Sequence, residues 1–126
     1  MADKGLKKDF NILVIEDDDK VFGDLEAALK DTNYNLSRVS TGAKALKMVR
    51  DGLYLAIISE VRLRDINGNE LVRRLKKLDH RINIIVLTAY SFTDSAVEAM
   101  RNGAYAYLMK PLNIRNWGWF WHISVE

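Results

Sequence analysis

The stretch LAIISEVRLRDING, residues 55–68, decides the architecture. It opens as an unbroken apolar run, reaches a single carboxylate at Glu60, and dissolves into a charged, turn-forming segment ending at Asn67-Gly68. An apolar run of this length, bounded by turn residues, reads as a strand buried on both faces. An acidic side chain at the end of such a strand must face something. What it faces depends on what leaves the other strands.

Working outward, Asn11 to Ile15 (NILVI) is a second apolar, β-branched run, and it stops at Glu16-Asp17-Asp18-Asp19. Val21, Phe22, Leu25, Ala28 and Leu29 fall on one helical face. Residues 35–39 (NLSRV) alternate and predict a short strand. Thr41 can cap a helix carrying Ala45, Leu46 and Val49, which Asp51-Gly52 stops. Leu55 to Ser59 forms the third strand. Glu70 to Leu78 reads as a helix with Leu71, Leu75 and Leu78 facing inward. Ile82 to Leu87 is a fourth strand. Ser91 with Asp94 resembles a capping pair before Ala96, Val97 and Met100, and Asn102-Gly103 ends that helix. Tyr105 to Met109 is a fifth strand, followed by Lys110-Pro111.

Strand and helix thus alternate, with short turns and no internal repeat. The pattern predicts an α/β fold: a doubly wound, five-stranded parallel sheet with helices on both faces. In such sheets ligands collect beyond the carboxyl ends of the strands. Those ends carry Glu16 and Asp17, Glu60, Thr88 and Lys110. Taken singly, each has a plain explanation; Asp18 and Asp19, for instance, read best as cap and first-turn charges of a helix. Taken together they describe a crevice with three carboxylates, a hydroxyl and an ammonium. Crowded carboxylates repel each other, and a hard divalent cation such as Mg²⁺ relieves the repulsion. The hydroxyl and ammonium suit phosphoryl oxygens.

Bulk properties narrow the alternatives. A chain of 126 residues with 48% hydrophobic and 29% charged side chains reads as one soluble domain. A net charge of +2 gives no electrostatic footprint for direct nucleic-acid binding. The run Arg73-Arg74-Leu75-Lys76-Lys77 reads as a solvated helix face. No cysteine is present, which excludes disulfides, thiolate nucleophiles and Cys-based zinc. The N-terminus MADKGLKKDF lacks the apolar core of a secretory signal, and no apolar run reaches bilayer length, so a cytoplasmic protein with no membrane partner is expected. There is no G-x-G-x-x-G and no P-loop, and His80 and His122 lie outside the strand-end group. A small Mg²⁺-dependent phosphoryl-transfer enzyme is therefore the weakest of the readings.

The segments ILVIEDD, IISEVRLRDING, VLTAY and GAYAYLMKP resemble the receiver domain of bacterial two-component response regulators, over roughly Asn11 to Leu112. The phrase LTAYSFTDSAVEAMRNGAYAYLMKPLNI is most similar to receivers of nitrogen-regulation-type activators of σ54 transcription. The resemblance implies the strand order 2-1-3-4-5 and a signalling module, not an enzyme. It implies that Glu16 and Asp17 hold Mg²⁺ with Glu60 and the Arg62 carbonyl, and that Thr88 and Lys110 contact phosphate. Tyr107 would be the aromatic that turns inward on activation, and Arg62 and Tyr90 would tune phosphate hydrolysis. Lys110-Pro111 would be a cis peptide. A sensor histidine kinase and an output domain or protein not in this chain are the implied partners.

Two departures stand out. Glu60 falls where the family has the phospho-accepting Asp, so phosphorylation is expected to be impaired or imitated; the alternative is a phosphorylation-independent pseudo-receiver that acts as an interaction module. The tail NIRNWGWFWHISVE, residues 113–126, replaces a regular fifth helix. It carries both a helical stripe (Ile114, Trp117, Trp121) and a strand-like alternation (Trp117 to Val125). Residues 1–112 are expected to form the receiver core, with 113–126 packed on it as an irregular aromatic segment. Because that segment stands where receivers place a dimer surface, a homodimer remains open.

Overall fold

The computed structural model describes residues 11–30, 34–52, 54–60, 62–88 and 94–109. Its elements are β1 (Asn11–Ile15), α1 (Asp19–Leu29), β2 (Asn35–Val39), α2 (Gly42–Asp51), β3 (Ala56–Glu60), α3 (Gly68–Leu78), β4 (Asn83–Thr88), α4 (Asp94–Arg101) and β5 (Ala106–Met109). All strand pairs are parallel, in the order β2-β1-β3-β4-β5. The expected topology is therefore the observed one; the third and fourth strands each start and end one residue later than expected, and the fifth starts at Ala106 instead of Tyr105.

The apolar runs split by alternation onto two faces. Leu13, Ile15, Ile57, Ile84 and Val86 pack with Ala45 and Val49 of α2, Leu71, Val72 and Leu75 of α3, and Ala99 of α4. Ile12, Val14, Ala56, Ile58, Ile85 and Leu87 pack with Val21, Leu25 and Leu29 of α1. Burial on both faces is what makes these strands read as continuous hydrophobic segments.

Local signals set the helix starts. The carboxylate of Asp18 accepts from the Lys20 and Val21 amides, and Asp19 sits in the first turn of α1. Thr41 Oγ1 accepts from the Lys44 amide at the head of α2, and Asn67 Oδ1 accepts from the Asn69 and Glu70 amides at the head of α3. Each satisfies backbone donors that the first helical turn leaves unpaired. Gly103 closes α4 at φ 107, a left-handed conformation open to glycine; the Lys76 side chain lies against it.

One inward assignment needs correction. Leu78 is 43% exposed. The buried residues of α3 are Gly68, Asn69, Leu71, Val72 and Leu75, so the inward arc is turned toward Val72 and leaves Leu78 at its edge in the last turn. In α4 the small Ala99 makes the buried contact, whereas Val97 and Met100 are exposed. The basic run behaves as a solvated face: Arg73 and Arg74 both bond the Glu70 carboxylate, and Arg73 foremost draws its pKa down to about 2. The Ser91 cap, the Lys110-Pro111 peptide and the 113–126 tail lie outside the described residues.

Candidate functional site

The carboxyl edge of the sheet assembles from neighbouring strand ends. Ile15 of β1 is in register with Ser59 of β3, so Glu16 and Glu60 each stand one residue beyond that pair. Both are buried, at 2% and 8% exposure. Charged side chains are rarely so buried unless something at the site compensates them. The Glu16 amide donates to the Val39 carbonyl at 3.0 Å, which extends the β1–β2 ladder to this residue. One Glu16 oxygen, Oε2, accepts from the Asp18 amide at 3.2 Å.

Glu60 turns back on its own loop. Its Oε2 accepts the Arg62 amide at 2.9 Å, while its carbonyl accepts the Ser59 hydroxyl at 3.1 Å. Asp17 stands on the rim with a half-exposed carboxylate, 3.6 Å from Arg64 Nε. Among the described residues, no three acidic or histidine side chains are grouped closely enough to hold a metal ion as they stand. On the far side of Glu60, Thr88 ends β4 opposite Met109 of β5, one step beyond the Glu60–Leu87 and Leu87–Leu108 pairs. Tyr107 is half-buried against the core shared by α2, α3 and α4. Lys110 and Tyr90 lie outside the described residues.

Three side chains that sequence spacing did not single out shape this edge. Arg38, on β2, donates through Nε to the Glu16 carbonyl at 2.8 Å and through a terminal nitrogen to Asp19 Oδ1 at 2.8 Å. Its guanidinium lies 5.1 Å from the Phe22 ring centre. Asp65 spans the gap between the β3–α3 loop and α2: its two oxygens accept the Gly42 and Ala43 amides, each at 2.9 Å. Those two amides, Gly42 first, hold the Asp65 carboxyl below its ordinary value. Ile66 fills the space over Gly42 where a Cβ would stand. Arg64 is the third. The only hint of these roles in the sequence is a lone arginine in a strand beside an acidic loop, and an aspartate in a turn.

Residues 12–117 match the family described as the response regulator receiver domain. The chain is 35% identical over 106 residues to the transcriptional regulatory protein ZraR of Escherichia coli (strain K12), an alignment that covers 84% of this chain and 24% of that protein. It is 29% identical over 103 residues to the DNA-binding transcriptional regulator NtrC of Escherichia coli (strain K12), covering 82% and 22% respectively. The chain therefore spans about a quarter of the length of these relatives. A response regulator protein from Burkholderia pseudomallei, solved with a phosphorylated aspartic acid, a calcium ion and citrate, superposes with a TM-score of 0.77 at 31% identity, covering 85% of this chain and 63% of that one.

Proposed function

The chain belongs to the response regulator receiver domain family, a family of signal-transduction domains, and we propose that Glu60 occupies its phospho-acceptor position and impairs or imitates phosphorylation. One observation carries this reading: the Glu60 carboxylate is buried at the end of the central strand β3 and takes the Arg62 amide at 2.9 Å. That amide is a donor that a phosphoryl oxygen on a shorter acceptor could use. A glutamate carboxylate lies about 1.5 Å further along its side chain than an aspartate's, and an in-line displacement misplaced on that scale loses roughly a hundredfold in rate.

In an acceptor of this class, a carboxylate oxygen attacks the phosphorus of a phosphohistidine or small phosphodonor, and the bond to the leaving nitrogen or oxygen breaks. Thr88 and Lys110 would contact the transferred group. The donor set fits Mg²⁺ in kind, since the buried Glu16 and Glu60 and the rim residue Asp17 offer hard carboxylate oxygens. These residues and the Arg62 carbonyl would hold the ion. When bound, it would offset charge on the phosphoryl oxygens. A sensor histidine kinase is the proposed donor, and a further domain or protein the proposed output.

The test compares the parent with Glu60→Asp after incubation with Mg²⁺ and acetyl phosphate, read by intact mass. The expected result is one phosphoryl group on Glu60→Asp and none on the parent. Stoichiometric acyl phosphate on the parent's Glu60 overturns the proposal. The second reading, a pseudo-receiver that works without phosphate, draws on Asp17 facing Arg64, and on the absence of a three-carboxylate group among the described residues. Failure of Glu60→Asp to accept phosphate would favour it.

A further inference from the structure

Two guanidinium groups flank the acidic loop that leaves β1, and they are held differently. Arg38 has two hydrogen bonds at 2.8 Å and lies over the Phe22 ring, so it is a fixed part of the loop's frame. Arg64 reaches Asp17 from the opposite side. Its contact is long, at 3.6 Å, and its side chain is 81% exposed against 52% for Asp17. Such a pair is weak and readily exchanged.

The loop that carries Arg64 is nonetheless held in place. Arg62 and Asn67 form an isolated antiparallel bridge at its base. Asn67 caps α3. Asp65, the next residue, is bonded to the first two amides of α2, and Ile66 packs over Gly42. Arg64 therefore projects from a fixed backbone toward Asp17. Preorganisation of this kind keeps a weakly bound group close to its partner.

We propose that Arg64 is a built-in, displaceable counter-ion of the acidic loop, which competes with a divalent cation for Asp17. The inference rests on the metal-binding reading above and adds a means of regulating it: the occupancy of the pocket depends on a cation the protein supplies itself. Removing the guanidinium leaves Asp17 available to the metal, and raising the ionic strength weakens the competition along with the pair.

The experiment is isothermal titration of the whole chain with MgCl₂, with amide NMR shifts of residues 16–19 and 60–65 as a second readout. Four proteins are compared: parent, Arg64→Ala, Lys44→Ala and Asp17→Asn. Lys44 lines the same surface depression as Asp17 and serves as the control for loss of a nearby positive charge. Arg64→Ala is expected to bind Mg²⁺ about three- to fivefold more tightly than the parent, the range an exposed ion pair supports. Lys44→Ala should change less, and Asp17→Asn should lose most of the binding. Equal affinities for parent and Arg64→Ala, or equal gains in Arg64→Ala and Lys44→Ala, overturn the role of Arg64 while leaving the metal site standing. Absence of binding in all four overturns the metal-binding reading, and the inference with it.

Discussion

Replacing Asp65 by alanine tests whether the loop after β3 is latched to α2. The substitution removes both acceptors from the Gly42 and Ala43 amides, now bonded at 2.9 Å each. The loss is that of a helix N-terminal cap, about 0.5–2 kcal/mol. Because the carboxylate is exposed, solvent screening places the expected value near the middle of that range, at about 1 kcal/mol. For a domain of this size that corresponds to a fall in Tm of roughly 3–5 °C. Asp65→Asn retains one acceptor but turns an amide donor toward a backbone N–H, so it should recover little.

The pH dependence has a definite sign. The folded-state carboxyl of Asp65 is held below its ordinary value of 3.8, chiefly by the Gly42 amide. Its stabilisation is then fully present above the unfolded-state value and is lost as pH falls through the lower folded-state value. Urea unfolding of parent and Asp65→Ala should show a constant gap from neutral pH down to about 5, narrowing only below about 4. A gap under about 0.3 kcal/mol at neutral pH, or one that widens on acidification, would refute the latch.

Gly42→Ala should destabilise by about 1–3 kcal/mol although alanine is the better helix former, because the new methyl overlaps Ile66 Cγ2; Ile66→Ala in the same chain should recover part of the loss in a double-mutant cycle read by urea denaturation. Leu75→Ala should lower stability by about 2–5 kcal/mol, whereas Leu78→Ala should stay within about 0.5 kcal/mol; similar losses at both would contradict the inward arc of α3. Arg38→Ala should lower stability by about 1–2 kcal/mol and broaden or shift the amide resonances of residues 16–19, since it removes the bonds to the Glu16 carbonyl and Asp19.

The sheet was legible in the sequence because burial on both faces writes itself as contiguous apolar residues: Ile12 to Ile15 and Ile84 to Leu87 are almost completely buried. The caps at Asp18 and Thr41 were legible because a cap acts on amides two or three residues away. The buried arc of α3 was only half legible. Spacing groups Leu71, Leu75 and Leu78, but it cannot say where along the helix the sheet ends, nor that Val72 would define the other side of the arc. Least visible were the contacts that hold the candidate site. Asp65 caps a helix 23 positions earlier in the chain, and Arg38 reaches back 22 to Glu16. Such partners are set by the parallel register of β1, β2 and β3, which has no local signature.

A carboxylate brings about one negative charge, against nearly two and three acceptor oxygens for a phosphoryl group. A bond such as that to the Arg62 amide contributes about 1–3 kcal/mol, whereas carrying a two-state domain from almost wholly inactive to almost wholly active needs roughly 5.5 kcal/mol of differential stabilisation. Only the part of the bond energy that differs between the two states counts toward that shift. The Arg62 amide belongs to a loop already fixed by the Arg62–Asn67 bridge and the Asp65 latch, so the bond needs little rearrangement to form and offers correspondingly little leverage on distant elements. Under the proposed reading, Glu60 by itself would bias such a switch only part of the way. The remainder would have to come from contacts around Thr88 and Tyr107, on the two strands where the carboxyl edge meets the α4–β5 side of the sheet.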